Sequence, residues 1–298
     1  MRILITGANG PAGQALGEQL QNLEHTVVGV DMDTTPSSFF GVIEPICAAA
    51  DPRMLDQLAA LVAKHNIDVL IPTVSDELPA VAMAAEGGLF GHALAAIAPA
   101  DGVTKAHDKY VTMRALATAG INTPLFGLPS DYESVEAAFE AMGAPLIIKP
   151  RVGRGGRGVR VLERNESIAW EDLTDKLILQ QYASGIEYAP MVFRAGDTHA
   201  PLVVVVEKTE LKQGRVGNAV STKRVENRGV PEVVSVAAGA VQALGLVGAV
   251  DLDIRRLANG DPVVLEINAR FGANSCQAPE ILVEVLQDAA ARCLQVAK

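Results

Sequence analysis

Residues 262–270, near the carboxyl end of the chain, read Pro-Val-Val-Leu-Glu-Ile-Asn-Ala-Arg. The first half has the apolar character of a buried strand, but Glu266, Asn268 and Arg270 then alternate with apolar residues. Side chains two positions apart on a strand point to the same face of a sheet, so these three polar groups are predicted to share one face. A β-rich run has no structural reason to place an acid, an amide and a guanidinium there, and the pattern therefore indicates a site.

A second strand precedes this one and carries Asp253 near its end, and a turn at residues 259–261 connects the two. In an antiparallel hairpin, Asp253 is expected beside Glu266 and Asn268. Three oxygen ligands with few other anchors suit Mg²⁺, which keeps waters and takes phosphate oxygens for its remaining positions. Arg270 would then neutralise a transferring phosphoryl group. The alternative interpretation of this group is a salt-bridge cluster on the surface.

Three upstream features carry positive charge at spacings that one nucleotide site could use. Lys109 lies at a helix start, where a lysine is ordinarily solvated. Lys149 follows three apolar residues, and a lysine buried there needs an anionic partner. The loop Gly153-Arg154-Gly155-Gly156-Arg157-Gly158 lies between two predicted strands, and its amides could wrap phosphate oxygens. A plain flexible hairpin is the alternative for this loop, and RNA binding is disfavoured because the element is short and the chain is acidic.

The first hundred residues alternate apolar strands with amphipathic helices, which predicts a parallel sheet covered on both faces. The loop of residues 7–13, Gly-Ala-Asn-Gly-Pro-Ala-Gly, follows the first strand, and Asp31 ends the second. This context is typical of dinucleotide binding and resembles the loop of extended short-chain dehydrogenases and epimerases. Those enzymes use a tyrosine with a lysine four residues later, and none of the four tyrosines here has one. A tight turn without a dinucleotide is the favoured interpretation.

Local signals also predict where elements begin and where the architecture changes. A helix is expected to start at Glu77 with Ser75 or Asp76 as its cap. After Pro99 the pattern changes to α+β with mostly antiparallel strands. The chain is therefore predicted to combine an α/β half with an α+β half.

Composition excludes several classes of protein. The chain has 298 residues, is 49% hydrophobic and carries a formal charge of −10, so we expect a folded globular protein and no nucleic acid among its partners. Its three cysteines and five histidines are scattered, which predicts reduced thiols and no histidine-bound metal. The first residues predict a strand followed by a glycine loop, so we expect no signal peptide there, and no apolar run approaches the ~18 residues that span a bilayer. We therefore expect a cytoplasmic protein without membrane partners.

Taken in order, the motifs of the second half resemble the ATP-grasp superfamily, in particular the short proteins related to the large subunit of carbamoyl-phosphate synthase. The likeness rests on Asp108-Lys109, Ile147-Ile148-Lys149-Pro150, the glycine loop, Gln180-Gln181-Tyr182, Gly185-Ile186-Glu187-Tyr188 and Leu265-Glu266-Ile267-Asn268-Ala269-Arg270. It implies a Rossmann-like domain over residues 1–102, a small lid subdomain over 103–182 and a carboxyl-terminal α+β subdomain over 183–298.

The resemblance implies a role for each motif. Lys109 and Lys149 would contact the phosphates of ATP beneath a lid loop whose glycines are Gly153, Gly155, Gly156 and Gly158. The main chain of Gln180, Gln181 and Tyr182 would line the adenine slot, although many relatives have a glutamate in the Gln180-Gln181 pair. Glu187 would hold the ribose.

The resemblance also implies a metal and a catalytic group. Mg²⁺, for which Mn²⁺ could substitute, would be held by Asp253, Glu266 and Asn268. Arg270 would steady an acyl-phosphate intermediate, with Lys149 as the second catalytic residue. Further basic residues fall where relatives use such groups near phosphate or substrate: Lys208, Lys212, Arg215, Lys223 and Arg224. The sequence does not separate those that contact substrate from solvated surface charges.

The activity that the resemblance implies is ATP-dependent ligation of a carboxylate to an amine or another nucleophile. The carboxylate would attack the γ-phosphate, and the resulting acyl phosphate would be captured with release of ADP and phosphate. Small molecules would be the substrates, and a homodimer is compatible with this expectation. The alternatives are an NAD(P)-dependent oxidoreductase or epimerase that uses residues 7–13, and a non-catalytic nucleotide-binding protein. The complete set of Asp253, Glu266 and Asn268 argues against the second of these.

Overall fold

The computed structural model describes residues 1–21, 23–196, 200–212 and 214–296. Within these ranges the strands are β1 (Arg2–Thr6), β2 (Thr26–Asp31), β3 (Ile43–Pro45), β4 (Val69–Ile71), β5 (Leu94–Ala95), β6 (Phe126–Gly127), β7 (Leu146–Pro150), β8 (Arg160–Leu162), β9 (Leu177–Gln181), β10 (Glu187–Arg194), β11 (Leu202–Leu211), β12 (Ala219–Val225), β13 (Gly248–Arg256) and β14 (Pro262–Asn268). The α-helices are α1 (Pro11–Leu20), α2 (Met54–Lys64), α3 (Leu78–Glu86), α4 (Ala100–His107), α5 (Lys109–Thr118), α6 (Val135–Met142), α7 (Pro231–Ala243) and α8 (Pro279–Val296). The strands form three sheets.

The first sheet has the strand order β3-β2-β1-β4-β5, and its neighbouring strands are all parallel. Alternate residues of β1 pack on opposite faces. Ile3 and Ile5 share a core with α1 and α8, whereas Leu4 packs with α2 and α3. A strand that is covered on both faces needs apolar residues at successive positions, which explains the continuous apolar run. The prediction of a parallel sheet covered on both faces is confirmed.

The second sheet is antiparallel, with the order β6-β9-β7-β8. Helix α6 covers one face, where Phe139 and Met142 pack with Leu146 of β7. Ile147 and Lys149 alternate with the core residues of β7 and therefore face the opposite side. That side forms one wall of a cleft.

The third sheet is also antiparallel, with the order β12-β11-β10-β13-β14. Helices α4, α5 and α7 cover one face, and Met113 of α5 lies in the same core as Leu252 and Ile254 of β13. Helix α5 therefore packs on the third sheet, although it precedes the second sheet in the chain. Part of the other face packs against α8 and the first sheet. Asp251 and Asp253 alternate with the core residues of β13 and so lie on this other face.

The start of α3 differs from the sequence-based expectation. The helix begins at Leu78 with Glu77 as its N-cap residue and without a side-chain capping bond, so the expectation that Ser75 or Asp76 caps it was wrong. The physical reason is that Glu77 points inward. Its buried carboxylate accepts hydrogen bonds from Thr6 Oγ1 and from a backbone amide of the preceding loop at 3.2 Å. Burial raises the pKa of Glu77 to about 7, against the opposing effect of these hydrogen bonds.

Four elements lie where the sequence pattern predicts none, namely β3, β6, β12 and α4. Strand β12 has a mixed polar sequence, Ala-Val-Ser-Thr-Lys-Arg-Val, and pairs with β11 at the edge of its sheet. An edge strand is half exposed, so its side chains do not show the apolar run of a central strand. Across the described ranges, no helix combines the length and the apolar character needed to cross a membrane.

Candidate functional site

Two adjoining cavities lie between the second and third sheets, and a third cavity continues from them toward the first sheet. The main cleft is lined by charged residues of both sheets, with residues 180–183 at one end. A smaller cavity beneath the glycine loop shares Lys149 and Glu266 with the cleft. A third cavity shares Glu266 with both and reaches Ser75 and His107. Together they make a continuous path from the end of β9 to the loop that follows β4.

Two carboxylates face each other at the middle of this path. Asp253 of β13 lies directly opposite Glu266 of β14, and Asp251 lies opposite Asn268. Residues two apart on either strand share a face, so all four side chains belong to the same side of the sheet. The structure thus brings Asp253, Glu266 and Asn268 to one face, as the spacing predicts. The side chains of Asp253 and Glu266 are 29% and 24% exposed, which leaves both accessible from the cleft.

Lys208 of β11 bridges the carboxylates of the neighbouring strands. Its Nζ lies 2.7 Å from Glu187 Oε1 and 2.6 Å from Asp253 Oδ1. The register explains this, because Glu187 of β10 is opposite Lys208 on one side and opposite Arg255 on the other. Burial alone would lower the pKa of Lys208, but the charges of Asp253 and Glu187 outweigh it and hold that pKa above its usual value.

The other basic residues that the family resemblance places near phosphate or substrate do not line the cleft. Arg215 stacks over the ring of Tyr182, with its guanidinium carbon 4.8 Å from the ring centre. Lys223 pairs with Glu207, and Arg224 with Glu280. Of the five basic residues named above, Lys208 is the one that lines the cleft.

Two further lysines, Lys109 and Lys149, are buried beside the smaller cavity. Lys109 Nζ donates to the carbonyl of Gly153 at 3.0 Å and lies 3.2 Å from Glu266 Oε1. Lys149 Nζ donates to the carbonyl of Leu265 at 3.0 Å. Burial lowers the pKa of Lys149 to about 8, even though the negative charge of Glu266 opposes that shift. Both lysines therefore place a poorly solvated positive charge where an anion would be attracted.

The glycine loop lies over these lysines. Gly155, Gly156 and Gly158 have φ values of +64°, +69° and +73°, a region that side-chain-bearing residues rarely adopt. Gly153 and Gly156 line the small cavity together with Lys109 and Lys149. Arg154 of this loop forms a 3.0 Å ion pair with Asp76, so the glycine loop also contacts the loop that follows β4 of the first sheet.

The two glutamines at the end of β9 are not equivalent. Gln180 is 1% exposed, lines the cleft, and its Nε2 has no hydrogen-bond partner among the described residues. Gln181 accepts a hydrogen bond from the backbone amide of Leu125 at 3.2 Å and so helps to join β9 to the preceding segment. A buried amide without a partner is costly, which points to a ligand group at Gln180. The ring of Tyr182 stacks against Arg255 next to it.

Glu187 lies in the cleft but is already paired. Besides Lys208, its second oxygen lies 3.5 Å from Arg255 Nη1. Burial raises the pKa of Glu187, although the charge of Lys208 opposes this effect. The family resemblance assigns Glu187 to the ribose. To bind a ribose hydroxyl, Glu187 would have to accept a further hydrogen bond while it remains paired with Lys208 and Arg255.

Arg270 lies just beyond the end of β14 and outside the residues that line the main cleft. Its Nη1 donates to the carbonyl of Phe271 at 2.8 Å and lies 3.4 Å from Asp251 Oδ2, and its Nε donates to Ser75 Oγ at 3.2 Å.

Sequence reasoning missed Asp251. The available signal was an acid within the apolar run of β13, two residues before Asp253. Burial raises the pKa of Asp251 to about 7, with the charge of Arg270 opposing the shift.

The donor set matches the requirements of Mg²⁺. The oxygens of Asp253, Glu266 and Asn268 share one face, but the described residues contain no cluster of three or more His, Cys, Asp or Glu side chains that would enclose a metal by itself. Mg²⁺ is typically held by one or two carboxylates, with waters and phosphate oxygens as its other ligands. The residues present therefore fit a metal that is shared with a phosphate-bearing ligand.

The amino-terminal glycine loop is occupied by contacts within the protein. Asp31 accepts hydrogen bonds from the backbone amides of Asn9 at 2.9 Å and Asp33 at 3.0 Å. A Cβ atom on Gly13 would lie 2.2 Å from the carbonyl oxygen of Gly7, so this glycine permits the close approach of α1 to the loop. Contacts within the protein thus explain the requirement for glycine at position 13 and give Asp31 two hydrogen-bond partners.

Comparison with known families gives the class of the protein. Residues 106–274 match the family model of the ATP-grasp domain, which is more than half of the chain. The chain belongs to the ATP-grasp family, and the resemblance and the fold class predicted from the sequence are confirmed. Residues 3–92 also match the model of the NAD dependent epimerase/dehydratase family, which covers only the part that contains the first sheet.

Individual relatives agree with this assignment. A probable alpha-L-glutamate ligase of Picosynechococcus sp. is 29% identical over 185 residues, which cover 57% of this chain and 58% of the relative. The chain thus spans less than two thirds of the length of that relative. The fold is similar to an L-amino acid ligase from Bacillus licheniformis, with a TM-score of 0.69, 20% identity, and coverage of 93% and 68% of the two chains. It is also similar to a biotin carboxylase complex from Campylobacter jejuni, with a TM-score of 0.70, 17% identity, and coverage of 97% and 70%.

Proposed function

We propose that the protein is an ATP-dependent ligase that joins a carboxylate to an amine or another nucleophile through an acyl phosphate, with release of ADP and phosphate. The observation that carries the proposal is the convergence of Lys109, Lys149 and Lys208 with Asp253 and Glu266 along one path between two sheets. Phosphoryl transfer depends mainly on positioning and on neutralising charge, and this cluster supplies both signs of charge at one place.

The nucleotide would lie along the cleft. Its base would be placed at Gln180 to Tyr182, where the amide of Gln180 offers an unpaired donor. Its phosphates would lie at Lys109 and Lys149 beneath the loop of residues 153–158, whose backbone amides supply further donors. Glu187 would contact the ribose.

Asp253, Glu266 and Asn268 would hold Mg²⁺, with Mn²⁺ as a substitute. The ion supplies charge neutralisation for the phosphates when bound. The protein's own part is to hold these oxygens on one sheet face, where Glu266 lies 3.2 Å from Lys109 Nζ.

The acid substrate would occupy the third cavity, between Ser75, His107 and Asn268. Arg270 is anchored beside this cavity by Ser75, and its planar fork would bind the oxygens of the acyl phosphate. In this proposal the substrates are small molecules and the protein acts in the cytoplasm. The domain boundaries at residues 102 and 182 remain part of the proposal.

The similarity to alpha-L-glutamate ligases selects the first compounds to test. Purified protein would be incubated with ATP, Mg²⁺ and pairs of L-amino acids that include L-glutamate, and ADP release would be measured. We expect ADP and phosphate with at least one acid, and a hydroxamate when hydroxylamine replaces the amine. AMP as the product, or hydride transfer to a nicotinamide without use of ATP, would contradict the proposal.

A further inference from the structure

The positive and negative groups of the cleft are paired with each other. Lys208 contacts Asp253 at 2.6 Å, and Lys109 lies 3.2 Å from Glu266. Each carboxylate that we propose as a metal ligand therefore already contacts an ammonium group. A divalent cation at the same oxygens would meet a like charge at close range, which is costly where water is scarce.

Lys208 is the stronger of these two competitors. Its ammonium is held by two carboxylates, those of Asp253 and Glu187, and its side chain is only 7% exposed. Lys109 divides its contacts between Glu266 and the carbonyl of Gly153, so the glycine loop holds part of it. Arg255 also faces Glu187, at 3.5 Å, and would remain with that carboxylate if Lys208 moved.

An anionic ligand in the cleft would change this balance. Lys208 lines the same cleft as Lys149, so a phosphate bound there would offer the ammonium of Lys208 an alternative partner. Once Lys208 turns to the phosphate, Asp253 would be free to bind a cation. Metal and phosphate would each favour the binding of the other through this one side chain.

We propose that Lys208 and the divalent cation compete for Asp253, and that the phosphates of the nucleotide relieve this competition by drawing the ammonium group away. The proposal rests on the proposed function, because it takes the cleft as the site of nucleotide and metal. The family resemblance places Lys208 among basic residues near phosphate or substrate, and the competition for Asp253 gives it a positioning role beyond that. Because the coupling between two ligands is reciprocal, it can be measured from either one.

The test measures Mn²⁺ and ADP separately on the full chain. Mn²⁺ binding is followed by electron paramagnetic resonance without nucleotide, and ADP binding by calorimetry in the presence of EDTA. Compared with wild type, Lys208→Met should bind Mn²⁺ at least ~10-fold more tightly, since its competitor is gone. The same variant should bind metal-free ADP at least ~10-fold more weakly, since a phosphate partner is gone. A structural defect would weaken the binding of both ligands, so shifts of opposite sign exclude such a defect.

Two lysines serve as matched controls. Lys223→Met removes a lysine that is paired with Glu207 on the neighbouring strand, and it should change neither affinity by more than ~2-fold. Lys149→Met also removes a positive charge from the cleft, but the ammonium of Lys149 contacts the carbonyl of Leu265 and neither of the two carboxylates proposed as metal ligands. This variant therefore measures how far loss of a nearby charge alone changes the affinity for Mn²⁺. Its effect on Mn²⁺ should be well below that of Lys208→Met.

Each outcome decides between the two proposals. Mn²⁺ affinity that is unchanged or weaker in Lys208→Met, or ADP affinity that is no weaker, would overturn the competition while leaving the ligase proposal in place. A wild-type chain that binds no ADP would overturn the proposed function itself. Should methionine prevent folding at this buried position, Lys208→Gln removes the charge but keeps a hydrogen-bond donor, and the same two shifts are expected.

Discussion

Lys149 is expected to lower the stability of the nucleotide-free protein, so that Lys149→Met should stabilise it. The ammonium is buried, donates to the carbonyl of Leu265, and has a pKa lowered by burial to about 8. The gap between that value and the ordinary 10.5 corresponds to about 3 kcal/mol. Methionine has a similar length and no charge, but leaves the Leu265 carbonyl without its donor, which costs about 1 kcal/mol. The expected net gain at pH 7 is therefore about 2 kcal/mol.

The pH dependence gives this prediction a direction as well as a size. The unfolded chain keeps the lysine proton up to about pH 10.5, whereas the folded chain releases it near pH 8. Between these values the unfolded state binds more protons, so the stability of the wild type rises with pH. Below about pH 8 the full penalty is present. The advantage of Lys149→Met should thus be largest at neutral pH and vanish toward pH 10.

Urea unfolding in EDTA at pH 7 and pH 9.5 measures the effect. Lys223→Met, which removes an exposed lysine, should change the free energy of unfolding by less than about 0.5 kcal/mol at either pH. In a second measurement, ADP should bind Lys149→Met at least ~10-fold more weakly, because the charge that destabilises the empty site attracts the phosphates. The reasoning fails if Lys149→Met is less stable than wild type at pH 7. It also fails if the difference between the two proteins is the same at both pH values.

Three further predictions concern the metal, the loop and the arginine. Glu266→Gln should reduce Mg²⁺-dependent turnover at least ~100-fold, and the variant should unfold at the same urea concentration as wild type. Full activity with an unchanged Mg²⁺ requirement would show that this residue does not belong to the site. Residues 153–158 should exchange amide hydrogens rapidly without nucleotide and slowly with ATP, and Asp76→Asn should speed the exchange of the nucleotide-free loop because it removes the charge facing Arg154. Arg270→Lys should slow hydroxamate formation more than it weakens ADP binding, since an ammonium cannot reproduce a planar fork; an equal loss in both would contradict the assignment.

The face that carries Asp253, Glu266 and Asn268 could be predicted because strand periodicity alone decides it. The alternation along residues 262–270 and the short turn at 259–261 place the strands side by side, and the structure has Asp253 opposite Glu266. The apolar run before Lys149 likewise predicts its burial. These are local properties, and local properties can be read from a sequence.

The contacts of Lys208 could not be predicted in this way. They depend on the order β11-β10-β13 within the third sheet, which places Glu187 between Lys208 and Arg255. The sequence pattern shows that these segments are strands, but it does not show which strands are neighbours. The inward orientation of the Glu77 side chain was missed for a related reason, since its partner Thr6 lies 71 residues away in the chain, at the end of β1.

Long-range contacts of the same kind connect the first sheet to the proposed site. The loop after β4 touches the rest of the site twice, through Ser75 to Arg270 and through Asp76 to Arg154. Glu77 fixes this loop to β1 through Thr6, so the loop is held by the sheet behind it. Gly7 of the amino-terminal glycine loop also lies close to this segment, since a Cβ atom on Gly7 would be 2.7 Å from Val74 and 2.8 Å from Thr73. The loop after β4 lies at the carboxyl end of a parallel strand, where such a sheet presents its loops to a ligand, and in the proposed function it supplies the wall against which the acid substrate is held.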